Sequence, residues 1–286
     1  MNKEKTIKVM WMVLIILVAC LIALWLYSEN TTLQVNRQTI TNSKLPESFD
    51  GYKIAHVSDF HNTISEKLTN NIVNEINNNN VDIVVITGDT LDSRRTNIKV
   101  ALNFITKLVK NNAVYYVPGN HESRIEEYEE FKKQIVDLGV NVLENKLTIL
   151  TKEDAKINLL GIKDPAFSYK EILDDKLIVK NEIESLEYNK DVYTILLSHR
   201  PEVFSIYVEQ NIDLVMSGHA HGGQIRLPFV GGIIAPVQGL FPKYTEGVHK
   251  ENNTTMIISR GIGNSLVPFR INNKPELLLI ELNTKK

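Results

Sequence analysis

The apolar positions fall into distinct regimes along the chain. Val9 through Tyr27 (VMWMVLIILVACLIALWLY) is apolar without a charge, about the length that one helix needs to cross a bilayer. After it, Leu33–Ile40 alternates as a half-buried strand does, and Leu45-Pro46 punctuates the approach to the first strongly apolar run, Tyr52–Val57. Short Val/Ile/Leu-rich runs then recur at Ile83–Thr87, Ala113–Val117, Asn158–Ile162, Val192–Leu197, Asp213–Met216, Thr255–Ser259 and Leu277–Leu282. Runs of this length without a polar face predict buried strands. Helical spacing fills several gaps. Leu68, Ile72, Val73 and Ile76 predict a helix over Glu66–Asn77, and Ala101, Leu102, Ile105 and Leu108 another over Ile98–Val109. An acidic-then-basic amphipathic stretch predicts a third over Ile125–Leu138, ended by Gly139. The alternation of types predicts an α/β domain. Gly and Pro concentrate between Pro201 and Pro242, with Gly222-Gly223, Pro228, Gly231-Gly232 and Pro236, which indicates a long shaped loop of the kind that carries function.

Charge sharpens the reading of the first regime. Lys3, Lys5 and Lys8 precede the apolar run, and Trp11, Trp25 and Tyr27 lie near its ends, where amphipathic rings favour the membrane interface. This predicts a cytoplasmic N-terminus with residues 28–286 outside the cytoplasm, in a single-pass protein of the cell membrane. Leu17-Val18-Ala19-Cys20 is similar to a bacterial acylation box, but the run continues apolar through Leu26, as an uncleaved anchor does. The expected organisation is a tail and transmembrane anchor over 1–28, a linker and edge strand over 29–49, and a catalytic domain over 50–286. Over the whole chain 32 basic residues face 34 acidic ones, a net charge of −2, so no basic field exists to hold nucleic acid through its phosphates. Cys20 is the only cysteine, which excludes an intrachain disulfide and a multi-cysteine zinc site. A bound metal would need His, Asp, Glu or Asn.

Such residues gather at strand ends. Tyr52–Val57 leads into Ser58-Asp59-Phe60-His61, Ile83–Thr87 into Gly88-Asp89, and Ala113–Val117 into Gly119-Asn120-His121-Glu122. Val192–Leu197 leads into Ser198-His199-Arg200, and Asp213–Met216 into Gly218-His219-Ala220-His221. Polar residues that follow successive buried strands meet on one edge of a sheet, which is how α/β folds assemble sites from distant sequence.

Taken in order, these five motifs resemble the signature of calcineurin-like metallophosphoesterases, the superfamily of Ser/Thr protein phosphatases and purple acid phosphatases, over roughly residues 50–282. The resemblance implies a four-layer α-β-β-α sandwich of two mixed sheets flanked by helices, here preceded by one transmembrane helix. It implies two divalent ions, with Asp59, His61 and His221 on the first, Asp89 bridging, and Asn120, His199 and His219 on the second. Mixed N/O donors without thiolate suit Mn²⁺, the expected ion, and also Fe or Zn²⁺. Two such ions about 3.5–4 Å apart clamp a phosphate and activate a bridging water, whose hydroxide attacks phosphorus. His121 is implied as the catalytic histidine that stabilises charge or protonates the leaving oxygen, and Asp92 as the carboxylate that orients it and raises its pKa.

Protein phosphatases follow that carboxylate with an arginine, whereas this chain has Ser93, so protein phosphatase activity is not expected. Arg94, Arg95, Arg200 and Arg260 remain candidate phosphate contacts, and Phe241 and Tyr244 are expected to close a small core within their loop. Gly222-Gly223-Gln224-Ile225-Arg226, Gly239–Tyr244 and Ser259–Gly263 are similar to the membrane-associated or secreted bacterial branch, which commonly cleaves diesters. The expected function is a membrane-anchored phosphodiesterase acting on a phosphodiester-containing small molecule, a lipid head group or a wall polymer, held to the membrane by the N-terminal helix. The alternatives are a pyrophosphatase of a lipid-linked nucleotide sugar and a non-catalytic metal-binding scaffold.

Overall fold

The computed structural model describes residues 3–168, 174–264 and 267–285. Helix α1 (Lys3–Thr31) carries the uninterrupted apolar run with its side chains exposed, and among the described residues it alone is long and apolar enough to cross a membrane. It extends past residue 28, so Glu29 and Asn30 are helical. The chain continues through β1 (Gln34–Asn42), β2 (Tyr52–Val57), α2 (Glu66–Asn78), β3 (Ile83–Thr87), α3 (Ile98–Val109), β4 (Ala113–Val117), α4 (Tyr128–Asp137), β5 (Asn141–Val142), β6 (Lys146–Lys152) and β7 (Ala155–Gly161). Then follow α5 (Asp175–Glu184), β8 (Thr194–Leu197), α6 (Phe204–Glu209) and β9 (Leu214–Ser217). Four two-residue strands come next: β10 (Arg226–Leu227), β11 (Gly231–Gly232), β12 (Ile234–Ala235) and β13 (Gly239–Leu240). The last are β14 (Gly247–Glu251), β15 (Thr254–Ile258) and β16 (Glu276–Thr284).

Two six-stranded mixed sheets result, one ordered β1-β16-β2-β3-β4-β5 and the other β14-β15-β9-β8-β7-β6. The period of two along each strand divides its side chains between layers. In β2, Ile54 joins the core between the sheets while Ala55 and Val57 face outward, and β3 splits Ile83 and Val85 from Val84 and Ile86 in the same way. The outward residues of the first sheet pack on Ile72, Ile105 and Phe131 of α2, α3 and α4. Those of the second, such as Leu196 and Val215, pack on Val179 and Tyr207 of α5 and α6. The expected α-β-β-α sandwich is therefore present. Ser65 and Asn97 cap α2 and α3, each side chain accepting a backbone N–H, which fixes where those crossover helices start.

Strands β2, β3 and β4 run parallel, as do β7, β8 and β9, so their C-terminal ends deliver the following loops to a common edge. Strand β1 is parallel to β16, which is antiparallel to β2, so β1 starts at that same edge. The apolar helix α1 therefore joins the domain on the side where the motif loops gather.

Candidate metal centre

Each motif residue leaves its strand through a tight turn. Asp59, His61, Asp89, His219 and His221 all adopt positive φ, between 46° and 67°, a region that side-chain-bearing residues visit rarely. The turns need close backbone approach as well. A Cβ on Gly119 would lie 2.6 Å from the backbone nitrogen of Asp89, so only glycine lets the loops after β3 and β4 meet.

The result is a buried cluster of two carboxylates and four imidazoles. His221 Nε2 lies 3.2 Å from Asp59 Oδ1 and 3.1 Å from His61 Nε2, and His61 Nε2 is 3.6 Å from Asp89 Oδ2. On the other side of Asp89, His199 Nε2 is 3.2 Å from Oδ2, and His219 Nδ1 is 3.2 Å from His199 Nε2. Ligand atoms of Asp59, His61, Asp89 and His221 all fall within 4.8 Å of one another, as do those of Asp89, His199 and His219, and Asp89 belongs to both groups. Asn120 lines the same pocket as Asp89 and His219, and its Oδ1 is buried without a hydrogen-bond donor. An interior that held no cation would not leave so many acceptors facing one another, so the donor set fits two metal ions with Asp89 between them.

The surrounding bonds fix these groups in place. His199 Nδ1 lies 2.6 Å from the carbonyl of Thr87, so Nδ1–H donates there and the ring is turned with Nε2 toward Asp89. Asp59 accepts the backbone N–H of His219, and Asp89 Oδ1 accepts that of His121 at 2.8 Å. Burial favours neutral forms, and local charge reverses it at some groups. Burial raises the Asp59 and Asp89 carboxyls, but His221 beside the first and His199 beside the second hold both well below the usual carboxylate range. Burial pulls His61 down to about 3, whereas Asp89 overrides burial at His199 and pushes it up to about 10.

A family model for calcineurin-like phosphoesterases matches residues 52–223, more than half of the chain. The chain belongs to that family. It is 29% identical over 267 residues to an uncharacterized metallophosphoesterase, YkuE, of Bacillus subtilis, covering 90% of this chain and 88% of that protein. It is 27% identical over 248 residues to a transmembrane protein with a metallophosphoesterase domain from Danio rerio, covering 84% of this chain and 55% of the fish protein. Among solved structures, the sulfate thiohydrolase SoxB of Thermus thermophilus superposes with a TM-score of 0.50 at 11% identity, covering 84% of this chain and 57% of its own; the likeness is one of fold.

A pocket of about 260 Å³ opens over Asp89, Asn120, His219 and His221, with His121, Arg94, Arg124, Arg200, Pro236 and Val237 on its walls. Two of the expected arginines, Arg94 and Arg200, are thus brought to the site. The Arg200 guanidinium is also braced by a fork onto Asp164, at 2.6 and 2.8 Å. The other two are placed differently from expectation. Arg260 binds Glu276 (Nε at 3.0 Å) and is not on the pocket wall, because Glu276 at the start of β16 draws it aside. Arg95 is exposed and lines a separate cleft beside His61.

Asp92 lies 3.5 Å from His121 Nδ1, but the shorter contacts to that nitrogen come from Ser93, whose N–H donates at 3.0 Å and whose hydroxyl is 3.1 Å away. Asp92 is instead occupied by Arg94, through its backbone N–H at 2.9 Å and its Nε at 3.1 Å. Burial outweighs Asp89 and Asp92, so His121 is lowered from its usual value and not raised as the motif suggests. Tyr244 packs on Phe204 of α6 and His249 of β14, outside its own loop, and Phe241 is exposed, so the two do not close a core within the loop.

Three supporting groups were given no role by the sequence, although Glu122 closes one of the motifs. The buried Glu122 carboxylate accepts the N–H groups of Asp89, Leu91 and Gly119 at 2.8–2.9 Å, tying two ligand loops together. Arg270, wholly buried, donates to the carbonyls of Arg260 and Gly263, and Asn273 Nδ2 donates to the carbonyl of His221 at 2.7 Å.

Proposed function

We propose that this metallophosphoesterase is a membrane-anchored phosphodiesterase that uses two divalent ions, Mn²⁺ foremost. Asp59, His61 and His221 would hold one, Asn120, His199 and His219 the other, and Asp89 both. The observation that carries this reading is the pair of buried donor groups sharing Asp89. When bound, the ions supply Lewis-acid polarisation of the phosphate and an activated water. The chain's own residues do the rest. His121 accepts the Ser93 N–H at Nδ1, so its neutral ring carries the proton on Nε2, the nitrogen left to donate to the leaving oxygen. Arg94, Arg124 and Arg200 place positive charge on the pocket wall where phosphoryl charge grows. Pro236 and Val237 give that wall an apolar side, suited to a second ester substituent. In this reading α1 spans the cell membrane with its lysines on the cytoplasmic side, and the domain meets lipid head groups or wall polymers outside.

The test compares hydrolysis of bis(p-nitrophenyl) phosphate and p-nitrophenyl phosphate by the full chain in detergent, stripped of metal and resupplied with Mn²⁺, Zn²⁺, Fe²⁺ or Ni²⁺. Metal-restored cleavage favouring the diester is expected, lost in Asp89→Asn. In His121→Ala the rate should fall while metal content holds. Preferential cleavage of the monoester would overturn the diesterase assignment.

A further inference from the structure

The strongest features that the catalytic reading leaves unused lie where the membrane helix meets the site. The last turn of α1 is hydrogen-bonded into the domain: Glu29 accepts the Asn273 N–H at 3.0 Å, and Asn30 accepts the Arg270 N–H at 2.8 Å while its Nδ2 donates to the Arg270 carbonyl at 3.2 Å. Asn273 in turn holds the carbonyl of His221. Two links thus separate the end of the membrane helix from a metal-ligand candidate. A cleft of about 400 Å³ covers the same distance, with Asn30 and His61 both on its wall and the exposed Ile64 on its rim.

The loop that walls the substrate pocket is tied to the same segment. Arg226 N–H donates to the Ile271 carbonyl at 3.0 Å, and Asn272 Nδ2 donates to the Arg226 carbonyl at 3.1 Å. From Leu227 to Pro242 the chain carries no charge, and Arg226 and Lys243 bracket it. Seven large apolar side chains in this stretch are exposed, Phe229, Leu240 and Phe241 among them. Soluble surfaces rarely gather such a patch, whereas a charge-free apolar loop between basic residues fits a bilayer interface. The loop is hydrogen-bonded at Arg226 to the segment that grips α1, which points to one occupant: the bilayer that α1 enters.

We propose that residues 227–241 form a second membrane contact, seating the mouth of the site on the bilayer, and that the ester cleaved belongs to a lipid of that membrane. This rests on the membrane-anchored phosphoesterase reading, and the test separates the two. The full chain is labelled in detergent with an environment-sensitive fluorophore at Cys20, or, in a Cys20→Ser background, at Phe229→Cys or at Asp154→Cys in the β6–β7 turn on the far edge. Each is reconstituted into vesicles of equal parts phosphatidylglycerol and phosphatidylethanolamine, some with acyl-chain nitroxide lipid. Quenching at 20 and 229 but not at 154 is expected. No quenching at 20 sinks the anchor itself, while quenching at 20 without 229 overturns only the loop contact.

Turnover gives the second arm. Phe229→Ser/Phe241→Ser should cut hydrolysis of vesicle lipid phosphate by about tenfold, the scale of losing one buried aromatic. Turnover of bis(p-nitrophenyl) phosphate should stay unchanged. Equal turnover of vesicle lipid by the variant and the parent chain, or none by a parent that cleaves the soluble diester, would refute the lipid assignment.

Discussion

At the scale of single residues, the site is built from backbone that resists its own conformation. Positive φ costs an L-residue about 1–2 kcal/mol, and Asp59, His61, Asp89, His219 and His221 all adopt it. Such strain persists only where neighbours over-determine it, and Glu122 is one of the neighbours that do so. Its carboxylate accepts three N–H groups from two ligand loops, a task for which an amide has one oxygen fewer. Glu122→Gln should therefore weaken Mn²⁺ affinity by about 10–100-fold with the fold intact, as read by titration calorimetry and circular dichroism. Unchanged affinity would mean that the loops hold themselves. Gly119→Ala should be harsher, because the contact it creates is with backbone and cannot be relieved by a rotamer change. Its expected signature is loss of both bound ions.

At the scale of elements, legibility followed burial. The limits of β2, β3, β4 and α3 coincide with those expected from the apolar runs, since each is buried, uniform in pattern and sharply punctuated. Strands β6 and β14 went unread because they lie at the outer edge of their sheet with half their positions polar. Helix α6 was missed for being short, α5, as long as α4, for its weaker amphipathic pattern, and β10 to β13 because two-residue strands exist only through the loop around them. The ligand candidates were legible since each follows a strand at fixed spacing. Glu122, Arg124, Arg270 and Asn273 were not, because their value arises from segments brought together by folding. The junction of α1 with residues 270–273 is of this kind. Asn30→Ala removes bonds to both the N–H and the carbonyl of Arg270, and should lower stability by about 1–2 kcal/mol in denaturant melts of the detergent-solubilised chain. An unchanged midpoint would show that the junction is held by α1 packing alone.

For the molecule as a whole, pH and metal removal act on different groups. Glu182 of α5 is nearly buried with one oxygen unpartnered, and burial raises its carboxyl to about 7 from an ordinary 4.5. The folded state then binds this proton more tightly than the unfolded chain, so its contribution falls as pH rises from about 4.5 to about 7 and stays low above that. Glu182→Gln should flatten this slope, leaving the variant more stable than the parent at pH 8 by up to about 3 kcal/mol and little changed at pH 4. Urea melts at the two pH values decide it. Chelation acts on the other core: without cations, Asp59 and Asp89 are left buried with imidazoles and backbone N–H groups as their partners, and the melting temperature should drop by several degrees on adding chelator, an effect expected to shrink in Asp89→Asn. There is also an order of events written into the first sheet. Strand β1, next to α1, pairs with β16 and with no other strand among the described residues, and Asn36 meets Glu276 across 240 residues of chain. Emerging from the ribosome, β1 must wait unpaired until almost everything else has been synthesised, since β16 also separates it from β2. A molecule whose synthesis stops before residue 276 would thus keep an open strand beside α1, an exposed handle for the proteases that clear unfinished chains.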